Sequence, residues 1–202
     1  MSLVVSFGDN LVAKGWPAMP VVISMLRGVN VGGHNLIKMD ALRALYESLG
    51  LQDPQTYVQS GNVIFRTKER DPSRLARQIE NEIERGFGFR PGVILRTSSD
   101  LRDVINRNPL AASRDLDPSK LLVTFLATDP APDAREALLR IKPDPEELRI
   151  AGRELYIYFP NGIGRSKLPP LLDRTLKKSS TARNWNTVTR LLAMAEKLEA
   201  SR

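Results

Sequence analysis

Cysteine is absent from the 202 residues of this chain, so disulfides, thiolate metal sites and cysteine nucleophiles are excluded. Histidine is nearly absent as well. His34 stands alone, which rules out a multi-histidine zinc site and leaves any Ser-His triad to be built on that one residue. No metal and no cofactor are expected. Apolar runs are short, and none approaches the roughly 18 residues that a membrane-spanning helix requires, so no membrane partner is expected. The opening "MSLVVSFGDNLVAKGWPA" lacks a basic n-region and carries Asp9 and Lys14 where the apolar stretch of a signal would run. The expected location is the cytoplasm. Hydrophobic periodicity begins only after this segment, so residues 1–19 are expected to be a loosely attached extension, with Met19 a candidate natural start.

Acidic residues are the minority, 23 against 30 Lys plus Arg, for a formal charge of +7. The surplus is concentrated: residues 161–202 hold nine basic and three acidic side chains, while residues 1–160 are almost balanced. A basic C-terminal section attracts anions, whether nucleic acid, nucleotide or acidic protein, although a solvated charged surface is the plainer reading. Apolar residues make up 42% of the chain, enough for a proper core. Nothing in the composition fixes an oligomeric state.

Periodicity supplies the architecture. "VVISMLRG" at 21–28 reads as a buried strand, and Met39, Leu42, Leu45, Tyr46 and Leu49 then share one helical face ended by Gly50. "TYVQSGNVIFRT" gives two short β-rich runs around "QSGN", whose Gly61 and Asn62 supply the left-handed backbone of a tight hairpin. "DPSRLARQIENEIERGFG" offers Asp71 as N-cap, Pro72 in the first turn, and Leu75, Ile79 and Ile83 four apart before a terminating glycine. "GVILRT" closes the unit. The order βαββαβ is the ferredoxin-like arrangement, an antiparallel four-stranded sheet with two helices on one face.

After a short helix in "DLRDVINRNPL" and a linker, the order restarts. "KLLVTFLA" reads as a strand, "PDAREALLRI" as a helix, and "ELRIAGRELYIYFP" as a hairpin turning near Ala151 and Gly152. The expected fold is therefore α+β: a tandem duplication of two ferredoxin-like (βαββα) halves with antiparallel sheets, residues 20–110 and 120–202, folded jointly. The copies differ at the end. Where a helix and a closing strand are due, "GRSKLPPLLDRTLKK" and "TARNWNTVTRLLAMAEKLEA" follow, the latter read as a C-terminal amphipathic helix with Trp185, Val188, Leu191, Leu192, Ala195 and Leu198 on one face.

Three stretches taken together, "LRGVNVGGHNLIKMDALRALYESLG", "TYVQSGNVIF" and "GRSKL" followed by "TARNWNTVTRLLAMA", resemble the bacterial family called domain of unknown function 1697. The likeness spans about residues 20–198. It implies a compact protein of two ferredoxin-like halves and implies no particular activity.

Candidate chemistry gathers in three loops. Gly28 and Gly33 have the spacing of a phosphate loop, but His34 and Asn35 stand where Lys and Ser or Thr belong, so "LRGVNVGG" is not a Walker loop. Gly32 and Gly33 can simply turn the chain while Asn30 bonds its own backbone; alternatively Arg27 and the loop amides form an anion-holding nest. Ser60 and Asn62 of "QSGN" make a turn or offer polar groups to a ligand. Arg165, Ser166 and Lys167 precede a helical pattern, as cations do at many anion sites. In "TARNWNT", Thr181 or Asn184 is an N-cap candidate and Trp185 a core anchor, while Arg183, read as a first-turn cation, either meets a carboxylate or awaits an anion.

The leading expectation is a binding module for a phosphate- or carboxylate-bearing ligand, a small molecule or nucleic acid, using Arg27, Asn30, Gly32, Gly33, Ser60, Asn62, Arg165, Ser166, Lys167, Arg183 and Asn184. Sequence-specific RNA reading is disfavoured, because "NVIFRT" and "ELYIYFP" lack the aromatic pattern of RNA-binding ferredoxin-like sheets. The alternatives are a cofactor-free enzyme acting on a phosphorylated small molecule and a protein-interaction module.

Overall fold

A computed structural model describes residues 19–111, 116–176 and 179–201. The expected N-terminal extension lies outside them except for Met19. Two four-stranded antiparallel sheets carry the chain, ordered β2-β3-β1-β4 and β6-β7-β5-β8. The first comprises β1 (Val21–Leu26), β2 (Gln52–Tyr57), β3 (Asn62–Arg66) and β4 (Val93–Thr97), with α1 (Met39–Ser48) and α2 (Pro72–Phe87). The second comprises β5 (Leu121–Leu126), β6 (Glu147–Ala151), β7 (Glu154–Tyr158) and β8 (Ser180–Asn184), with α4 (Pro132–Arg140) and α5 (Leu168–Thr175). Each half is followed by a further helix, α3 (Ser98–Asn106) and α6 (Trp185–Ala200). The protein is thus α+β, with two similar βαββα-type halves.

The apolarity of "VVISML" has a structural cause: every residue of β1 is buried, because both faces of the sheet are covered, and its one polar side chain, Ser24, meets the Tyr46 hydroxyl at 2.7 Å. Val22 and Leu26 pack outward on α1 and α2, with Leu42, Tyr46, Leu75, Ile79 and Ile83. Val21, Ile23 and Met25 face inward, into a core shared with Val123 and Phe125 of β5, Leu101 and Val104 of α3, and Val188, Leu191, Ala195 and Leu198 of α6. Burying each of these leucines contributes about 1.5–3 kcal/mol. Tyr156 points into the same core and donates its hydroxyl to Val104 O at 2.7 Å, so the aromatics of β7 form no exposed stacking platform. Trp185 packs against this core too.

Local signals set the helix ends. Asp71 accepts from the amides of Ser73 and Arg74 at 2.9 and 3.1 Å ahead of Pro72, and Gly88 ends α2 in the left-handed conformation. Arg66, on β3, donates to Leu198 O and to Ser201 O at 3.0 Å, capping the carbonyls at the end of α6. No helix among the described residues is long and apolar enough to cross a membrane.

The second half is more complete than its sequence suggests. Ser180–Asn184, read above as the approach to a helix, is a strand paired with β5. Ala, Arg and Asn are poor strand formers, so intrinsic propensity hides it; pairing against a buried central strand decides the conformation instead.

Candidate functional site

The sheets correspond position by position. Leu26 ends β1 opposite Val93, as Leu126 ends β5 opposite Ser180. Three residues further along each closing strand stands an arginine, Arg96 opposite Ile23 and Arg183 opposite Val123. The inner hairpin strands open on polar residues at matching places, Asn62 opposite Met25 and Glu154 opposite Phe125.

These groups reach across the seam reciprocally. Arg96 donates from Nη2 to Leu126 O at 2.9 Å, and from Nε and Nη2 to Glu154 Oε1 at 3.2 and 3.0 Å. Arg183 donates from Nη2 to Leu26 O at 2.8 Å and from Nε to Asn62 Oδ1. Each half's closing arginine therefore holds the end of the other half's central strand.

One difference breaks the equivalence. Arg96 and Glu154 form an almost wholly buried ion pair, with the guanidinium 5.6 Å from the centroid of the Phe125 ring. Arg183 meets an amide where Arg96 meets a carboxylate. Its other donors go to Ser60 O at 3.1 Å, Thr181 Oγ1 at 2.8 Å and Ala182 O at 2.8 Å, so every acceptor is neutral. Only 7% of Arg183 is exposed. Burial pushes its pKa down to about 10, which still leaves a cation at neutral pH. Among the described residues no carboxylate pairs with it.

Arg183 lines a cleft of about 650 Å³ where the halves meet. Arg27, Val31, Asn35 and Arg90 come to it from the first half; Leu122, Ile157, Pro169, Leu172 and Asp173 come from the second. Arg27 Nη2 reaches Asp173 Oδ1 at 3.1 Å, and Arg90 is held by Glu80 and Glu84 at 2.9 and 3.1 Å. The corresponding groove beside Arg96 has the opposite balance. Asp71, Glu80, Asp100, Asp103 and Glu199 line it with Arg96, Arg102 and Arg153.

Of the residues singled out in the sequence, Arg27, Ser60, Asn62 and Arg183 gather at this seam. Asn62 is fully buried and also donates from Nδ2 to Tyr57 O at 3.1 Å and Ser60 Oγ at 2.8 Å, locking the turn while its Oδ1 faces Arg183. Asn30 is spent on the neighbouring loop: Nδ2 donates to Ile37 O and Gln59 O at 3.0 and 2.9 Å, and Oδ1 accepts from Ile37 N at 2.8 Å. Gly32 and Gly33 turn that loop with φ of 59° and 78°. Arg165, Ser166 and Lys167 do not join them. They line a second cleft of about 830 Å³ with Lys142, Asp144 and Glu146, where the three cations are all exposed and Ser166 Oγ accepts from Leu168 N at 3.0 Å. Asn184 is the N-cap of α6, its Oδ1 accepting from Asn186 N at 2.9 Å. Arg183 lies on β8, not in a helical first turn.

Sequence reasoning missed Arg90, the pairing of Arg27 with Asp173, and the whole Arg96–Glu154 clamp. A signal was present. Aligning "VVISML", "NVIF" and "VILRT" with "LLVTFL", "ELYI" and "STARN" places the two arginines in register and sets Asn62 against Glu154.

The model of the family described as "Protein of unknown function (DUF1697)" matches residues 19–156. Among solved structures the chain is similar to the conserved bacterial protein SP0830 from Streptococcus pneumoniae, at 22% identity and a TM-score of 0.66, over 88% of this chain and 99% of that one. This likeness shows the fold alone. No curated protein matches the chain.

Proposed function

The chain belongs to the DUF1697 family, and we propose that its seam cleft binds a small anionic ligand bearing a carboxylate or phosphate. The observation that carries this reading is the buried, carboxylate-free guanidinium of Arg183, at the position where the other half neutralises Arg96 with Glu154. Burying a cation without a counter-ion costs several kcal/mol, only partly offset by neutral acceptors. An external anion in the adjoining cleft would recover part of that cost, and Arg27, which lines the same cleft, can add a charge-assisted bond from a guanidinium N–H that it does not give to Asp173. The shared register supports a duplicated unit whose halves have diverged in charge at this place.

Binding is favoured over catalysis. His34, the single imidazole, is exposed on a loop outside the cleft lining, and Asp173 is held by Arg27, so no acid or base stands free beside Arg183. The larger second cleft ranks below the seam as a ligand site because its cations are solvated and bind anions weakly.

Asn62→Asp tests the reading by supplying internally the charge that Glu154 supplies to Arg96. Calorimetric titration of the parent with phosphate, acetate, octanoate and AMP should show binding of at least one. The Asn62→Asp variant, folded by circular dichroism, should lose about tenfold or more in that affinity, and Arg27→Ala about 1–3 kcal/mol. A parent that binds none of them, or an Asn62→Asp variant that binds as the parent does, removes the seam cleft from consideration.

A further inference from the structure

We infer that the ligand of the seam cleft is a monoanion on an aliphatic body, a carboxylate with an apolar tail, rather than a nucleotide or polyphosphate. This rests on the anion reading above and adds the ligand's charge and shape. Three guanidiniums line the cleft, but two arrive neutralised, Arg27 by Asp173 and Arg90 by Glu80 and Glu84. Arg183 alone of the three has no carboxylate partner. A single carboxylate matches it, whereas a phosphate monoester near neutral pH carries about −1.5 to −2 and a diphosphate more.

The walls set the rest of the molecule. Half-buried Leu122 and Pro169 form an aliphatic floor over the outer face of the second sheet, with Ile157 and Leu172 buried beneath them, and two exposed apolar side chains stand at the cleft, Val31 of the first half at 63% exposure and Ile163 of the second at 46%. Two large aliphatic groups left in water beside a cationic cleft are what an apolar tail would cover. A nucleobase finds no partner there. Phe159 is the single aromatic ring of the lining and is 1% exposed, so no ring face is offered for stacking. A free aliphatic acid and a peptide C-terminus ending in an aliphatic residue present the same chemistry, and both fall within the inference.

The full-length protein should be titrated calorimetrically with octanoate, N-acetyl-leucine, acetate, octanol, AMP and pyrophosphate. Octanoate or N-acetyl-leucine should bind about tenfold or more tighter than acetate, because the tail is buried, and tighter than AMP or pyrophosphate. Which of the two leads tells a free acid from a peptide terminus. Octanol, lacking the charge, should bind about tenfold or more weaker than octanoate. Ile163→Ser, at an exposed position that leaves the core intact, should weaken the tailed ligands about threefold or more and leave acetate unchanged. AMP or pyrophosphate binding tighter than both tailed acids, with loss on Asn62→Asp, would overturn this inference and leave the anion reading standing. Octanol binding as well as octanoate would overturn it too. Failure of every anion would overturn both.

Discussion

Replacing Glu154 by Gln makes the clamp around Arg96 chemically like the one around Arg183, and its cost measures what the missing charge is worth. The side chain keeps its shape and an oxygen at Oε1, so the hydrogen bonds from Nε and Nη2 can persist, as can that from Nη2 to Leu126 O. Only the charge is withdrawn, from a pair that is 2% and 4% exposed. Removing one member of a buried pair typically costs about 3–5 kcal/mol, and the retained hydrogen bonds place this case near about 3. For a domain of this size that corresponds to about 6–12 °C in Tm, at roughly 2–4 °C per kcal/mol. Urea denaturation followed by circular dichroism reads the difference as a shift in midpoint at unchanged slope. A loss below about 1 kcal/mol for Glu154→Gln would mean that a buried guanidinium at the seam is content with neutral acceptors, and the case for an anion beside Arg183 would lose its energetic basis.

Gly61→Ala should destabilise by about 2 kcal/mol or more: the residue has φ +69°, and an added Cβ would lie 2.7 Å from Leu26 Cβ; an unchanged unfolding midpoint would contradict that close approach. Leu191→Ala should cost about 2–5 kcal/mol by emptying the shared core, and unfolding should stay a single transition; separate transitions for the two halves would show that α6 does not join them. Anion affinity should be flat from about pH 6 to about pH 9 and fall as pH rises through about 10, where Arg183 loses its proton. The sign for stability is opposite, because the unfolded chain holds the proton longer than the folded one, so the fold gains above about pH 10; an affinity midpoint below about pH 8 would assign the titration to another group.

The strand–helix order of the first half, the caps of α2 and the apolar face of α6 were legible because each is written locally, in periodicity and in Asp, Pro and Gly at helix ends. β8 was not, since its five residues become a strand only against β5. The site divides in the same way. Asn62, Ser60, Arg27 and Arg183 stood out as polar residues in or beside turns, and the fold does gather them. Arg165 and Lys167 looked equally promising yet line a different cleft, on the far side of the distinction that sequence cannot draw: whether a cation is solvated or buried. Arg90 and Asp173 sit at ordinary loop and helix positions and gain meaning only from what crosses the seam.

The reciprocity of the clamps bears on why one seam groove, and not both, would take a ligand. Leu26 O and Leu126 O are each held by the other half's arginine, so neither guanidinium can be dispensed with without freeing the end of a central strand. Charge balance at the partner position carries no such constraint: Asn and Glu both present an oxygen to Nε, and both satisfy the geometry. A glutamate there closes the local electrostatics, and the groove beside it is correspondingly rich in acids. An asparagine leaves the electrostatics open in a groove that has one carboxylate and an aliphatic floor. Fold stability alone would favour an acid at both places, since a buried cation left with neutral acceptors is the costlier arrangement. Asn62→Asp gives up the Nδ2 bonds to Tyr57 O and Ser60 Oγ, about 2 kcal/mol together, against the roughly 3 kcal/mol of a completed pair. The asparagine is therefore the residue at which stability and binding pull apart, and its replacement by aspartate should move the two in opposite directions, toward a more stable chain with a weaker anion site.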